Sequence, residues 1–370
     1  MPPRDSAMQY GMFVMPVHDP RKPLAQCYDE DLELAVRCDD WGFDEFWVGE
    51  HHSSTYENIV MPEIFIAKAF GMTNTIRMGP APVCLQFHHP LHVASRLAFL
   101  DHLSHGRLNV CFGVGAIPTD AEMYDVDPKE AGARVAEAID VILKVWTSDS
   151  PFRFRGEFWD LTVAAHVDPA MGLGMLHKPL QQPYPPLAVP CVNRNSYSMK
   201  LAAARGFAPF SHHMVSTETL RDHWSTYQAA AESAGLSPQR SAWKVSRNIY
   251  VAETTDEAKR AARENSLGRC LQYIVDLSQK HGPGLGMWKR NPEMPDAECN
   301  LDYLLDEVVI AGDPAEVTRR VVELREAIGG FGTLVLVAHD WDNRARWLKS
   351  LELFSREVVP AIDRSLGPGA

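Results

Sequence analysis

Eight short apolar runs, most of them followed by a segment of helical period, constrain this chain more than any other feature. We expect each run to form a buried strand. The runs span residues 9–15, 44–49, 76–84, 107–113, 185–192, 207–211, 244–253 and 332–340. Strands that alternate with helices form a parallel sheet with right-handed crossovers. Because about eight runs occur without a composition break, the sequence predicts an α/β fold, a closed (β/α)8 TIM barrel, as one domain over residues 1–370.

Two stretches interrupt this alternation. Residues 150–185 are rich in Pro and Met and include a hairpin pattern, PFRFRGEFWDL. Residues 265–305 fit no barrel unit, and the glycines near their centre predict a mobile loop. Long inserted loops often cover active sites, so we expect the second stretch to be a lid.

Charge and cysteine content exclude several classes of protein. The net charge of −12 repels phosphate backbones, so no nucleic-acid partner is expected. Seven cysteines at irregular spacing, without a CxxC pair, predict neither a disulfide framework nor a zinc ribbon, and a reducing cytoplasm is the simplest setting. The chain shows no signal peptide and no apolar run of the roughly 20 residues that span a bilayer, so no membrane role is expected.

Ionisable and glycine-rich motifs recur where the predicted strands end. The C-terminal strand ends of a TIM barrel form its active site. The second strand ends in Glu50, His51 and His52. The later motifs are LQFHHP (85–90), GVGAIP (113–118), VNRNSYS (192–198) and SHHM (211–214). The sequence therefore predicts one active site at this edge of the barrel.

Each motif also has a purely structural alternative. Glu50, His51 and His52 can be a hydrogen-bonded strand end without a catalytic role. His89 can cap the helix that starts at Pro90, and His212 and His213 can be packing residues. A metallohydrolase is the first chemical alternative, but a barrel metal site usually needs His-x-His so that both side chains share a face. Adjacent histidines point to opposite faces, so no metal is predicted.

From GFDEFWVGEHH onward, the sequence resembles the bacterial luciferase-like flavin monooxygenases. DHLSHGRL resembles the D-x-x-S-x-G-R signature of that family, and NSYSMKLAAARGF resembles its segment that holds the flavin phosphate. The resemblance covers about residues 8–260 well and the remainder more loosely. GEHHSSTYENIVMPEIFIA and HHPLHVA most resemble the limonene monooxygenase-like branch, and the diketocamphane monooxygenases look more distant.

The resemblance implies a two-component enzyme. Reduced FMN, supplied by a separate NAD(P)H-dependent flavin reductase, and O2 would oxygenate a small apolar or terpenoid-like substrate, by epoxidation, hydroxylation or Baeyer–Villiger insertion. Dimers through the second and third helices are common in the family, so a homodimer is expected. A deazaflavin-dependent dehydrogenase and a non-catalytic flavin-binding protein remain alternatives within the same superfamily.

The resemblance also implies roles for individual residues. His51 matches the active-site histidine beside the flavin, with Glu50 and His52 as neighbours. We expect His51 to titrate near neutrality and Glu50 to set its tautomer. Pro82 falls at a cis peptide of the family. Gly113 falls where the luciferase branch carries a reactive cysteine, which argues against light emission.

The remaining predicted site residues form two groups. Those expected to bind the cofactor are Ala81, Pro82, Gly113, Arg194, Asn195, Ser196, Tyr197 and Ser198. Those expected to line a dry substrate pocket are Phe13, Met15, His89, Met214 and Trp288. The phosphate is a dianion, and the hydroxyls and free N–H groups at the start of the helix near residue 196 suit it.

Overall fold

Twelve strands build the sheets within the part of the chain that the structure describes. The structure is a computed structural model that describes residues 8–15 and 17–367. The strands are β1 Gln9–Val14, β2 Glu45–Val48, β3 Arg77–Pro80, β4 Val83–Cys84, β5 Val110–Gly113, β6 Phe152–Arg155, β7 Asp160–Val163, β8 Leu187–Cys191, β9 Ala208–Ser211, β10 Lys244–Val251, β11 Val309–Gly312 and β12 Thr333–Val337.

Helices follow nearly every barrel strand. They are α1 Leu24–Asp40, α2 Pro62–Phe70, α3 Pro90–Leu103, α4 Pro118–Met123, α5 Ala131–Thr147, α6 Tyr197–Arg205, α7 Thr217–Ser233, α8 Thr255–Glu264, α9 Ser266–Lys280, α10 Leu301–Glu307, α11 Pro314–Ala327, α12 Arg344–Leu353 and α13 Val359–Leu366. Short 3-10 turns occupy Leu85–Phe87, Arg240–Ala242 and Asp296–Glu298, and a π-helical segment, Phe354–Val358, joins α12 to α13.

Parallel pairing closes the main sheet into a barrel. The strand order is β3-β2-β1-β12-β10-β9-β8-β5-β4, and β11 adds to β10 outside this path. β3 and β4 are two parts of one strand that Ala81 and Pro82 interrupt. Backbone hydrogen bonds join Met78 to Arg107 and Asn109 on the β5 side, which closes the ring. Counting β3 and β4 as one strand, the nine strands of the path occupy eight positions, and the predicted TIM barrel is confirmed.

The C-terminal third departs most from the sequence prediction. Residues 265–305 are not a loop throughout, because α9 occupies Ser266–Lys280 and α10 begins at Leu301. The buried residues of α9 recur at helical spacing, among them Leu267, Leu271 and Ile274, and the side chain of Asn265 caps its N-terminus. The glycine cluster that suggested a loop begins only after this helix. The predicted hairpin is present, as β6 and β7 pair antiparallel.

Packed side chains fill the lower part of the barrel interior. At the N-terminal strand ends, Lys244 and Glu45 form an ion pair of 2.6 Å across the lumen. Above them, Trp47 and Phe210 pack edge to face with ring centroids 5.4 Å apart. Because these buried groups fill the lower lumen, any ligand site inside the barrel lies at the C-terminal strand ends.

Two further sequence predictions concern compartment and covalent links. All seven cysteines lie within the described ranges, and they are buried and unpaired. Within residues 8–15 and 17–367, no helix is long and apolar enough to cross a bilayer. The first residues of the N-terminal stretch used to judge a signal peptide, 1–7, lie outside the described residues.

Candidate active site

A cavity of about 460 Å³ opens at the C-terminal ends of the barrel strands. Strands β1, β5 and β8 and the loops after β2, β5 and β9 contribute its floor and walls, and α9 with the segment after it forms one side. Its lining is mostly apolar, with a small number of polar side chains. This composition is typical of a site for a small organic ligand.

The cavity brings together about half of the residues that the sequence singled out. The predicted residues that line it are Phe13, Met15, His51, Ala81, Pro82, Gly113, Ser196, Ser198 and Trp288. The predicted residues outside the lining are Glu50, His52, His89, Arg194, Asn195, Tyr197 and Met214. Of these, Met214 is fully buried, Tyr197 is largely exposed, and His89 accepts a hydrogen bond from the N–H of Leu91 as the cap of α3.

His51 lies between two carboxylates. Its Nε2 is 3.0 Å from Oε2 of Glu57, and its Nδ1 is 3.3 Å from Oδ2 of Asp120. Burial by itself lowers the pKa of His51, but the charge of Glu57 and hydrogen bonds to both carboxylates raise it to about 10. His51 is therefore an imidazolium that donates both of its N–H groups, rather than a histidine that titrates near neutrality.

The partners of His51 differ from the sequence prediction, because Glu50 does not touch its ring. Instead, Glu50 is fully buried behind the cavity wall, where its Oε1 accepts hydrogen bonds from Nε2 of His52 at 2.8 Å and Nε2 of His88 at 2.6 Å. Burial raises the pKa of Glu50, but these bonds outweigh it and hold the pKa at about 2. The hydroxyl of Tyr124 contacts Nδ1 of His52 at 3.1 Å.

The Glu50, His52 and His88 cluster also has the composition of a metal site. Its three ligand atoms lie within 4.8 Å of one another. His52 and His88 come from different histidine doublets. They can therefore face the same point, although two adjacent histidines of one doublet cannot. However, hydrogen bonds from both rings to one carboxylate oxygen account for the observed geometry without an ion.

The N-terminus of α6 supplies donors suited to an anion. Ser196 caps the helix, its Oγ accepting a hydrogen bond from the N–H of Met199, and the hydroxyl proton is thereby left to donate elsewhere. Ser198 follows in the first turn and lines the same cavity. By contrast, Arg194 is committed to Thr219 and to the carbonyl of Arg290, and the N–H of Asn195 to Asp222.

The part of the wall around Pro82 and Gly113 is tightly packed. The Ala81–Pro82 peptide bond is cis. A Cβ atom at Gly113 would lie 2.8 Å from Cβ and Cγ of Pro82 and 3.0 Å from Cγ of Pro190, so no larger residue fits there without a shift. Gly115 has a φ of 86°, in the left-handed region that favours glycine.

Helix α9 covers the cavity and is attached to the loop that carries His51. The hydroxyl of Tyr273 on α9 donates to Oε1 of Glu57 at 3.0 Å, and the ring of Tyr273 stacks on Tyr56 with centroids 4.6 Å apart. Beyond the helix, Nε1 of Trp288 donates to Ser278. These contacts shield the cavity from bulk water on this side.

Several lining or contacting residues were missed by sequence reasoning. They are Glu57, Asp120, Asn193, His212, Ser246 and the α9 residues Ile274, Leu277 and Ser278. The sequence contained a signal for two of them: Glu57 lies in the GEHHSSTYEN motif that also contains His51, and Asp120 lies two residues after the GVGAIP motif. The sequence slightly favoured a packing role for His212, and it predicted a loop where α9 lies.

A second cavity, of about 420 Å³, shares α9 as a wall and is lined by charged side chains. These charges pair with one another or with nearby groups. For example, Arg21 binds Asp19, and Arg269 binds Asp342 at 2.9 Å. The pairing satisfies the arginines locally, and we assign this cavity no role.

Known proteins resemble this chain over nearly its whole length. The chain is 32% identical to 3,6-diketocamphane 1,6-monooxygenase of Pseudomonas putida, over 96% of this chain and 98% of the relative. It is 30% identical to limonene 1,2-monooxygenase of Rhodococcus erythropolis, over 98% and 88%. The two identities are nearly equal, so they do not favour the limonene branch over the diketocamphane branch.

A solved structure of the oxygenating constituent of 3,6-diketocamphane monooxygenase, a type II Baeyer–Villiger monooxygenase in complex with FMN, superposes with a TM-score of 0.84. The match covers 95% of this chain and 98% of that one. An F420-dependent secondary alcohol dehydrogenase, 21% identical with a TM-score of 0.73, shares the fold. A sequence profile of the luciferase-like monooxygenases matches residues 8–330, and the chain therefore belongs to the luciferase-like monooxygenase family.

Proposed function

We propose that this chain is the oxygenase component of a two-component, FMN-dependent monooxygenase that oxygenates a small apolar or terpenoid-like substrate. The proposal depends on one observation: the His51 imidazolium and the anion-binding N-terminus of α6 line the same, mostly apolar cavity. Relatives named as monooxygenases of terpenoids, and a homologous structure that holds FMN, support it.

The residues of the cavity fit FMN. Ser196, Ser198 and the free N–H groups of the first turn of α6 would hold the phosphate, since hydroxyl and backbone donors at a helix N-terminus bind dianions. Because Gly113 packs closely against Pro82 and Pro190, no side chain projects from this position, and the ring system of the cofactor would rest here. Arg194, Asn195 and Tyr197 were also predicted to bind the cofactor, and we propose that they support the phosphate loop from outside the lining.

When bound, reduced FMN supplies the two electrons with which one atom of O2 enters the substrate and the other leaves as water. The chain contributes the surroundings of that reaction. His51 holds Glu57 and Asp120 on its two ring nitrogens, so these charged groups beside the cavity are fixed in position before the reaction. Phe13, Met15 and Trp288, with α9, exclude water that would otherwise divert the reduced oxygen to peroxide.

A separate NAD(P)H-dependent flavin reductase is the proposed partner. The names of two relatives, an oxygenating constituent and an oxygenase component, describe proteins that work with a second component. A reducing cytoplasm is the proposed setting, supported by seven buried, unpaired cysteines.

We also propose a homodimer through α2 and α3, the arrangement that the family resemblance implied. Apolar side chains are exposed on these helices: Ile64 on α2 is 71% exposed, and Phe99 on α3 is 64% exposed. Large exposed apolar side chains on neighbouring helices favour burial in a partner. A Phe99→Glu variant is expected to dissociate the dimer in analytical ultracentrifugation, whereas a monomeric wild type would contradict the proposal.

Reconstitution with labelled oxygen tests the function. The purified chain is mixed with a flavin reductase, NADH, FMN and 18O2, and a panel of monoterpenes and monoterpenoid ketones is screened by mass spectrometry. We expect a product that carries one 18O atom and that forms only when both proteins are present. Reduction of added oxidised deazaflavin by a substrate, without O2, would instead indicate the dehydrogenase. Absence of FMN binding by calorimetry would refute the proposal.

A further inference from the structure

A second histidine, His212, faces the same cavity with properties opposite to those of His51. It follows β9 directly, and its backbone N–H donates to the carbonyl of Cys191 at 2.9 Å, which anchors it at the strand end. It lines the cavity together with His51. No step described so far uses it.

A backbone hydrogen bond determines the tautomer of His212. The N–H of Met214 donates to Nδ1 of His212 at 3.2 Å. An Nδ1 that accepts a hydrogen bond carries a lone pair, so in the neutral ring the proton is on Nε2. Within the described residues, that Nε2 has no hydrogen-bond partner, and the ring therefore has one N–H group available to a ligand.

The ring of His212 is neutral and rigid. Burial lowers the pKa of His212 to about 4, so it is uncharged at neutral pH. The ring stacks on His213 with centroids 4.2 Å apart, and Trp288 packs against it with centroids 5.0 Å apart. A donor held between two aromatic rings is preorganised, so a ligand that accepts its hydrogen bond need not order it.

The two histidines differ in what they can offer to a ligand. His51 has no N–H to spare, because each of its nitrogens faces a carboxylate. Ser246, another polar residue of the lining, donates its hydroxyl to the carbonyl of Ser211 at 2.5 Å. His212 therefore supplies an uncommitted, uncharged donor in a largely apolar cavity.

We propose that His212 is a specificity-determining residue that donates its Nε2–H to a carbonyl oxygen of the substrate. The inference deepens the proposed function and rests on it. A ketone oxygen is a neutral acceptor that needs no counter-charge, which matches a neutral donor. A substrate carboxylate would bind less well, because it would lose its hydration without gaining a compensating positive charge. A hydrocarbon substrate would leave the Nε2–H of His212 without a partner.

Two substitutions separate the donor from the shape of the side chain. His212→Gln places an amide N–H close to the position of Nε2, whereas His212→Leu retains much of the volume without a donor. His213→Phe is the matched control, because it keeps the stacked ring and alters a fully buried neighbour outside the cavity lining. The probes are a diketocamphane, bornane as the hydrocarbon of the same skeleton, and limonene.

We expect His212→Leu to lower kcat/KM for the ketone by about 10–100-fold relative to that for limonene or bornane, the size of one lost hydrogen bond to a buried group. His212→Gln should recover most of the loss, and His213→Phe should leave the ratio unchanged. A 13C-labelled ketone bound to the FMN-loaded wild type should show a C=O stretch shifted to lower frequency, and this shift should vanish in His212→Leu.

Three outcomes would overturn the inference while leaving the proposed function intact. The first is a wild type that oxygenates limonene or bornane but no ketone. The second is an equal loss in His212→Leu and His213→Phe, which would indicate packing. The third is a weaker FMN affinity in His212→Leu with an unchanged ratio of kcat/KM between ketone and hydrocarbon, which would show that His212 donates its hydrogen bond to the cofactor and not to the substrate. If the wild type oxygenates no probe and binds no FMN, the proposed function itself has failed.

Discussion

Replacing Asp120 by Asn should bring the titration of His51 into the accessible pH range. The two residues are far apart in sequence but lie 3.3 Å apart between Nδ1 and Oδ2. In the Asp120→Asn variant, the amide oxygen can still accept the hydrogen bonds that Asp120 receives from the N–H groups of His52 and Ser53. The amide NH2 group would then face His51 and favour a lone pair on Nδ1, which is the neutral form of the ring.

The size of the shift follows from the bond that is lost. A hydrogen bond between charged groups contributes about 1.5–3 kcal/mol, and one pKa unit corresponds to about 1.4 kcal/mol. The 3.3 Å separation is longer than the ideal for such a bond, so the pKa of His51 should fall by about 1–2 units from its value of about 10. Glu57→Gln should lower it further, because Glu57 lies closer, at 3.0 Å from Nε2.

The sign of the pH dependence is also determined. A raised histidine pKa stabilises the folded protein fully below the unfolded value near 6.5, and the stabilisation is lost as the pH rises through about 10. In Asp120→Asn, the loss should begin at the same unfolded value but be complete about 1–2 pH units lower. If positive charge on His51 is needed for turnover, the basic limb of the kcat profile should move down by the same amount.

Histidine-selective 15N NMR measures the shift directly. The ring nitrogens of His51 should both report N–H groups at pH 8 in the wild type, and one of them should lose its proton over the lowered range in Asp120→Asn. A His51→Ala variant assigns the signals. A wild-type pKa near 6.5, or an identical titration in the two proteins, would refute the double-carboxylate account.

Four other substitutions test the cavity and its surroundings. His51→Ala should lower turnover by roughly 10²–10⁴-fold, with a much smaller change in FMN affinity measured by calorimetry. Normal oxygenation in this variant would show that His51 has no role in the mechanism. Ser198→Ala should weaken FMN binding by about 1 kcal/mol, and an unchanged affinity would exclude Ser198 from the phosphate site. Gly113→Ala should destabilise the protein by about 1–3 kcal/mol in urea unfolding, because its Cβ would meet Pro82 at 2.8 Å; equal stability would show that this wall yields. Glu50→Gln should cost about 3–5 kcal/mol by the same measurement, since its carboxylate is paired with two buried rings, and a stabilisation of the wild type by added Zn²⁺ would instead favour a metal in that cluster.

The sequence predicted the barrel well because its evidence is local. Each β-strand is recognised from a few consecutive apolar residues, and the alternation with helices determines that the strands are parallel. The C-terminal third was predicted less well for the same reason. Buried residues of α9 such as Leu271 and Ile274 have helical spacing, but the glycines that follow masked the pattern. Strand β11, which has only four residues, gave too short a signal.

The site was predicted in part, and the errors share one cause. His51 could be placed at the barrel mouth because it follows a recognisable strand end. Its partner could not be inferred from adjacency, since neighbouring residues at a strand end point in opposite directions. Glu50 accordingly points away from His51 and binds His52 and His88, and the carboxylates beside His51 belong to Glu57 and to Asp120 of α4.

The sequence by itself determined the barrel, the edge at which its chemistry lies and the histidine that faces the cavity, because all three depend on the order of residues along single strands. The tertiary structure alone decided the charges: it held His51 as a cation between Glu57 and Asp120 and kept His212 neutral against His213. Protonation depends on burial and on which groups meet across separate loops, and neither quantity is encoded in any short stretch of the chain.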